Sequence, residues 1–286
     1  MSLPGIRRRD NGPDANAHAG PANRGNLCYI HDMLTAITRK VSSALANCEL
    51  SFIPRQPIDL EKARAQHQAY EDLLDKLGAR VVSLPEEPDL PDSMFVEDPA
   101  IVLDEIAVIC PLGTETRRRE APSLAAALEK YRKLEYVKLP GLLEGGDVLR
   151  IGKRIFVGVT QRSNPEGIRQ FAVIAGRFGH EVTAVPATGC LHLKSAVTYL
   201  GRNTLLANRA WFDELRFPGF EWVDVHSDEP HAGNALLLGD TVVFAESFPK
   251  TRETIEARGF KVASLDISEL QKAESGLTCS SLLFEA

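Results

Sequence analysis

Hydrophobic positions along the chain switch between helical and strand spacing, and the switch recurs. Asp59 can cap a helix with apolar positions at Ala63, Tyr70, Leu73, Leu74 and Leu77, stopped by Gly78, and a strand over Arg80–Leu84 follows. A second helix is predicted to open at Pro122 and run through Leu124, Leu128 and Leu134 before a strand over 136–139. A third begins at Asn164-Pro165 and ends at Gly179, ahead of a strand over 181–185. A shorter helical stretch over 210–215 precedes a strand over 221–225, and the last helix ends at Gly259 before a strand over Lys261–Leu265.

Most of these strands are followed by a polar loop and then a hairpin with a tight turn. The hairpins start at 100–103 with a turn at Asp104-Glu105, at Val148–Ile151 with Gly152-Lys153, at 197–200 with Gly201-Arg202, and at 235–238 with Gly239-Asp240. The fifth, at 281–284, runs out at the C-terminus, so a strand over Leu34–Arg39 is expected to complete it. A unit of roughly 40 to 55 residues that cannot bury both sheet faces alone must stack or close on itself. The fold predicted is α/β: a five-bladed α/β propeller of ββαβ repeats with pseudo-fivefold symmetry, each blade carrying an outer helix.

Composition narrows the partners. The 286 residues fit one large domain or two ordinary ones and are ample for a core without disulfide or metal support. With 33 Lys plus Arg against 39 Asp plus Glu, the net charge of −6 disfavours coating nucleic acid or an anionic membrane, and a small-molecule partner is expected. No apolar run approaches the roughly 18 to 20 residues of a membrane span, and the first residues lack the pattern of a signal peptide, so a cytoplasmic location is expected. Residues 1–26, rich in Pro, Gly, Ala and Asn and carrying Arg7, Arg8 and Arg9, read as a flexible arm, and 27–286 as a single catalytic domain. Cys28, Cys48, Cys110, Cys190 and Cys279 contain no Cys-x-x-Cys pair, which fits a reducing compartment and no structural zinc.

The residues with chemical potential share one place in the repeat, the loop before each hairpin: Glu97 and Asp98, Glu144, His192, His231 and Asn234, and Cys279. In a closed ring these loops converge on the axis. A thiol nucleophile needs a nearby base, and the base an orienting acceptor, roles open to Cys279, His192 and Glu144. Singly, each also has a plain reading, since a buried cysteine is commonly a small hydrophobe. Glu97 and Asp98 follow the apolar Met94-Phe95-Val96 and therefore require a cationic partner, either a structural arginine or a guanidinium or amine substrate.

Five blocks carry a family resemblance: Ala65-Gln66-His67-Gln68, Pro91-Asp92-Ser93-Met94-Phe95-Val96-Glu97-Asp98, Glu144-Gly145-Gly146-Asp147-Val148, Leu191-His192-Leu193-Lys194-Ser195 and Gly276-Leu277-Thr278-Cys279-Ser280. From about Ala63 onward the chain resembles the dimethylarginine dimethylaminohydrolases, in the guanidino-group-modifying superfamily that also holds arginine deiminases and amidinotransferases. Arginine deiminases typically carry His-x-Asp, whereas His192-Leu193-Lys194-Ser195 looks like the dimethylarginine branch.

The resemblance implies hydrolysis of methylated arginines to citrulline and an amine through a covalent thiouronium, with no metal or organic cofactor. It assigns Cys279 as nucleophile, His192 as general acid/base and Glu144 as the carboxylate that orients it. Asp92, Glu97 and Asp98 become the substrate carboxylates, Arg117 and Arg162 the grip on the amino acid's carboxylate, and Ser195 and Glu274 further substrate contacts. Arg117 also has a structural reading as a salt-bridge residue, because it lies in the run Arg117-Arg118-Arg119. Glu144 and Glu274 stand where other members vary between Asp and Glu, and no motif near Val41 locates the segment that covers the substrate. Another guanidine hydrolase, close to arginine deiminase, or a non-catalytic binding propeller are the alternative readings, and a monomer or homodimer is expected.

Overall fold

Residues 33–286 are described by a computed structural model, and the predicted 1–26 arm and Cys28 lie outside the described residues. The first strand, β1 (Leu34–Arg39), is followed by helix α1 (Leu60–Lys76) and strand β2 (Arg80–Leu84). The α1 helix starts where Asp59 accepts the Lys62 N–H at 3.0 Å, and it buries Ala63, His67, Tyr70 and Leu74, spaced three and four residues apart. That stripe turns the chain back, so β2 lies parallel to β1 from Thr35↔Arg80 to Arg39↔Leu84.

The same plan recurs. The second blade holds β3 (Ala100–Val102), β4 (Ile106–Ile109), α2 (Ala121–Leu128) and β5 (Lys133–Tyr136), and the third β6 (Val148–Ile151), β7 (Arg154–Val159), α3 (Pro165–Gly176) and β8 (Glu181–Pro186). The fourth begins with the single-turn helix α4 (Leu193–Ala196), then β9 (Val197–Gly201), β10 (Thr204–Ala207) and β11 (Glu221–Asp224). The fifth has β12 (Leu236–Leu238), β13 (Thr241–Ala245), α5 (Pro249–Ala257) and β14 (Lys261–Leu265), after which α6 (Ser268–Gln271) leads to β15 (Leu282–Glu285). Each of the five three-stranded sheets has a central strand paired antiparallel with its hairpin partner and parallel with the strand after the crossover. The sheet β15-β1-β2 is assembled from both ends of the described chain and completes the five ββαβ blades of the propeller.

Where the structure departs from the predicted elements, local hydrogen bonding explains it. The α2 helix stops at Leu128, whose carbonyl accepts the N–H groups of both Tyr131 and Arg132, and Leu134 belongs instead to β5, pairing with Ala107. The expected strand over 136–139 is therefore shifted towards the N-terminus. The stretch over 210–215 forms two single turns of 3-10 helix, Arg209–Trp211 and Glu214–Arg216. The hairpin of the fourth blade turns on Arg202 and Asn203, with φ of +50° and +57°, one residue later than expected.

The loops before the first strand of every sheet are stitched in a closed circle. Glu97 N–H donates to the Cys279 carbonyl at 3.3 Å and Gly145 N–H to the Asp98 carbonyl at 2.9 Å. Leu193 N–H donates to Asp147 Oδ1 at 2.8 Å, Asn234 Nδ2 to the Lys194 carbonyl at 2.9 Å, and Thr278 N–H to Asn234 Oδ1 at 3.2 Å. Five neighbouring blades thus hand one loop to the next around the axis.

Candidate active site

Three of those loops bring a thiol, an imidazole and two carboxylates to one pocket. Asp92, Asp98, Arg117, Arg162, His192, Glu274 and Cys279 line a narrow cavity of about 20 Å3, with Glu49, Phe95, Leu191, Ala273 and Ser275. Cys279 sits in the turn Thr278–Ser280, where the Gly276 N–H donates to its sulfur at 3.4 Å. His192 stands at the start of α4, its Nε2 bonded to Glu144 Oε2 at 2.6 Å, so Glu144 orients the ring and accepts from the proton-bearing Nε2. The ring lies flat against Gly146, where a Cβ would come 2.5 Å from Nδ1, so the Gly-Gly pair makes room for the imidazole.

Glu144 is itself held: Gly113 N–H donates to Oε1 at 2.9 Å and Arg162 Nη1 lies 3.6 Å away. Burial would raise its pKa, but the bond to His192 and the charges of His192, Arg117 and Arg162 bring it down to about 2. Burial alone would lower His192, yet the negative charges of Asp98, Glu144 and Asp147 outweigh it and push the imidazole up to about 9. Burial and the carboxylates of Glu97 and Asp98 drive the Cys279 thiol up to about 12, against the Gly276 N–H and Lys194. Both shifts run the same way, favouring a protonated imidazole and a neutral thiol before a substrate enters.

The two adjacent carboxylates part company. Asp98 accepts from Arg117 Nη1 at 2.9 Å through Oδ2, while its buried Oδ1 has no hydrogen-bond partner among the described residues and lies 3.9 Å from His192 Nε2. Glu97 turns away, to Lys194 Nζ and to the Thr278 hydroxyl at 2.8 Å, and lines a separate cavity together with those two residues. The expected paired clamp is thus a single free carboxylate oxygen, because Lys194 supplies Glu97 with the cation its burial demands. Arg117 is buried, with Nε and Nη2 on Glu120, both at 3.0 Å, and Nη1 on Asp98, so its structural partners are present although it also borders the pocket.

Arg162 reaches Thr114 Oγ1 at 2.5 Å and Ser51 Oγ at 2.9 Å, and Asp92 accepts the Glu49 N–H at 3.1 Å. Glu274, at φ +58°, accepts the successive N–H groups of Ser51 and Ile53 at 2.9 and 2.8 Å and that of Phe52 between them. It therefore pins the covering loop. Ser195 does not border the narrow cavity and lines a neighbouring one with Trp211 and His231. Cys48 and Cys110 are buried elsewhere, and Cys190 is buried on the wall of that neighbouring cavity.

Residues the sequence left unassigned hold the site together. Asp147 bonds Leu193 N–H, Thr160 and Ser163, and Glu120 pairs with Arg117, a link signalled by the three-residue spacing of opposite charges. Ligand atoms of Asp98, Glu144 and His192 lie within 4.8 Å of one another, close enough to bridge a cation, but Arg117 and Arg162 already bring positive charge to the two carboxylates. Among the described residues no helix is long and apolar enough to cross a membrane.

A ring of five ββαβ blades with such a pocket on its axis is the plan of the guanidino-group-modifying α/β propellers. Residues 51–280 match the family model described as "N,N dimethylarginine dimethylhydrolase, eukaryotic". The chain is 35% identical over 249 residues to the N(G),N(G)-dimethylarginine dimethylaminohydrolase of Streptomyces coelicolor, covering 86% of this chain and 95% of that relative. It is 33% identical over 228 residues to the Pseudomonas aeruginosa protein of the same name, covering 79% and 90%. A solved Pseudomonas aeruginosa structure, a cysteine-to-serine mutant complexed with citrulline, superposes with a TM-score of 0.84 at 31% identity, covering 88% of this chain and all of that one. The chain belongs to the dimethylarginine dimethylaminohydrolase family and is a hydrolase.

Proposed function

We infer that this protein hydrolyses Nω-methylated L-arginines, asymmetric dimethylarginine and monomethylarginine, to citrulline and dimethylamine or methylamine. One observation carries the reading: a thiol, an imidazole and a carboxylate oxygen that has no hydrogen-bond partner among the described residues face a single buried pocket in a member of this family. The free oxygen of Asp98 suits a cation that brings its own N–H donors, and a guanidinium provides both.

The electrostatics give the order of events. An entering guanidinium offsets the negative charge of Asp98 and Glu97, which lowers the thiol pKa, so the substrate itself promotes loss of the thiol proton to solvent and formation of the thiolate. Sulfur attacks the guanidinium carbon, the carbon–nitrogen bond to the methylated nitrogen breaks, and that nitrogen keeps the electron pair and takes a proton from His192. His192, held by Glu144, then removes a proton from water attacking the thiouronium. The carbon–sulfur bond breaks, leaving citrulline and the free thiol. Asp92, Arg162 and Arg117 border the pocket with charges suited to the α-amino and α-carboxylate groups, and Glu274 acts on the substrate by holding the loop above it.

The test is a panel of asymmetric dimethylarginine, monomethylarginine, arginine and agmatine, with citrulline or its analogue and the released amine both quantified. Amine release from the methylated arginines, abolished in Cys279→Ser, is expected. Ammonia release dominated by arginine would instead establish the deiminase alternative.

A further inference from the structure

Beside the narrow pocket lies a cavity of about 300 Å3 lined by Phe52, Ile53, Leu191, Trp211, His231 and Phe248, at the lower end of the range of about 300–1,000 Å3 for small-molecule sites. Leu191, Glu274 and Ser275 belong to the walls of both spaces. The shared wall lies on the side of the reacting groups. Leu191 precedes His192, and Gly276, which lines the larger cavity, donates to the Cys279 sulfur, whereas Arg117 and Arg162 border the narrow pocket alone. One loop covers both, with Glu49 over the narrow pocket and Phe52 and Ile53 over the larger, under the hold of Glu274.

Four aromatic side chains line the larger cavity, beside the polar Ser195, Asn234 and Gln271. The rings of Trp211 and His231 stand 5.0 Å apart, tilted by 56°. The indole rests against the backbone of Gly189, whose φ is +78° and where a Cβ would meet Trp211 Cδ1 at 3.1 Å. Among the described residues the cavity's only carboxylate, Glu274, is engaged with the loop amides. Such a surface favours alkyl and aryl groups.

We propose that this cavity is a subsite for the substituent on the leaving nitrogen, so that the protein also hydrolyses Nω-alkyl arginines with chains longer than methyl. The inference rests on the reaction proposed above and extends its substrate class. The subsite requires the two spaces to join past their shared wall at Leu191 and Ser275, so that an alkyl chain on the guanidine enters among Trp211, His231 and Phe248. The chemistry is unchanged: the carbon–sulfur bond forms, the bond to the alkylated nitrogen breaks, His192 supplies its proton, and the alkylamine departs.

The test compares kcat/KM for Nω-methyl-, Nω-propyl-, Nω-butyl- and Nω-benzyl-L-arginine in the wild type, Trp211→Ala and His231→Ala, with citrulline and each amine measured. The propyl and butyl compounds are expected within about ten-fold of the methyl compound in the wild type. Trp211→Ala should lose about 10- to 100-fold on the butyl and benzyl compounds while keeping the methyl rate, which also serves as the control for folding; His231→Ala, at an exposed position, should do the same to a smaller extent. Turnover of the methyl compound without turnover of the propyl and butyl compounds would overturn the subsite, as would equal losses across the series in both variants. Failure of the methyl compound itself would overturn the reaction, and the subsite with it.

Discussion

At the scale of single residues the site is built from opposed charges, and pH is the direct probe of them. His192 is pushed up to about 9 by its carboxylate neighbours against burial, so it is protonated below that value and can act as the acid. The kcat/KM for dimethylarginine is therefore expected to fall as the pH rises through about 9. Glu144→Gln removes an anion that favours the charged imidazole, which moves this limb to lower pH by on the order of one unit; a limb that stays in place would separate Glu144 from His192. Asp98 makes an effect of opposite sign on two readouts. Its carboxylate raises the Cys279 thiol and also offers the free oxygen for the guanidinium. Asp98→Asn should accelerate alkylation of Cys279 by iodoacetamide at pH 8, because the thiol pKa falls, while kcat/KM drops by about 100-fold. Slower alkylation in that variant would show that Asp98 does not act on the thiol through its charge.

At the scale of elements, a buried carboxylate ties α1 to two strands. Glu71 accepts from Thr38 on β1 and Ser83 on β2, both at 2.6 Å, and from Lys40 at 2.9 Å, with His67 Nε2 3.3 Å away. Burial would raise its pKa, but these four partners outweigh it and hold Glu71 below the usual carboxylate range. A depressed folded pKa means that its stabilisation is complete above about pH 4.3, the unfolded value, and is lost as the pH falls through the folded one. Glu71→Gln is expected to cost about 2–4 kcal/mol at pH 7, with the gap narrowing towards pH 3, measured by urea unfolding at both pH values. An unchanged gap would make the effect one of shape and not of charge. None of this network was visible in the sequence, because its members lie on three elements. By contrast β1, β2 and β14 appear at their predicted bounds, β2 between Gly78 and Pro85 and β14 just after Gly259. The α2 end was misplaced because Leu134 continues the helical spacing although β5 claims it. The loop positions of Cys279, His192 and Glu144 were legible from the repeat. The turn of Glu97 towards Lys194, and the place of Ser195 in the second cavity, depend on neighbouring blades that no local pattern encodes.

At the scale of the whole molecule, the site exists only if the ring is shut. The circle of loop hydrogen bonds runs through all five blades, and its first and last members meet where β1 pairs with β15, from Leu34↔Glu285 to Ile37↔Leu282. β15 contributes Leu282 and Phe284 to a buried cluster with Ile37, Val96, Leu124 and Leu128, which joins the first blade to the second. Removing residues 282–286 deletes two buried side chains worth about 1.5–3 kcal/mol each, a large share of a typical stability of about 5–15 kcal/mol, and bares an edge of β1. Every proposed catalytic residue survives this truncation, yet the expected outcome is loss of the cooperative thermal transition and of citrulline formation together. An open stack of blades behaves differently: each unit leans only on its neighbours, so losing the last strand trims stability locally and leaves a cooperative melt at lower temperature. Circular dichroism melts of the truncated chain, with activity measured on the same sample, separate the two. A truncated protein that still melts sharply and still forms citrulline would mean that closure by β15 is not what holds Cys279 opposite His192.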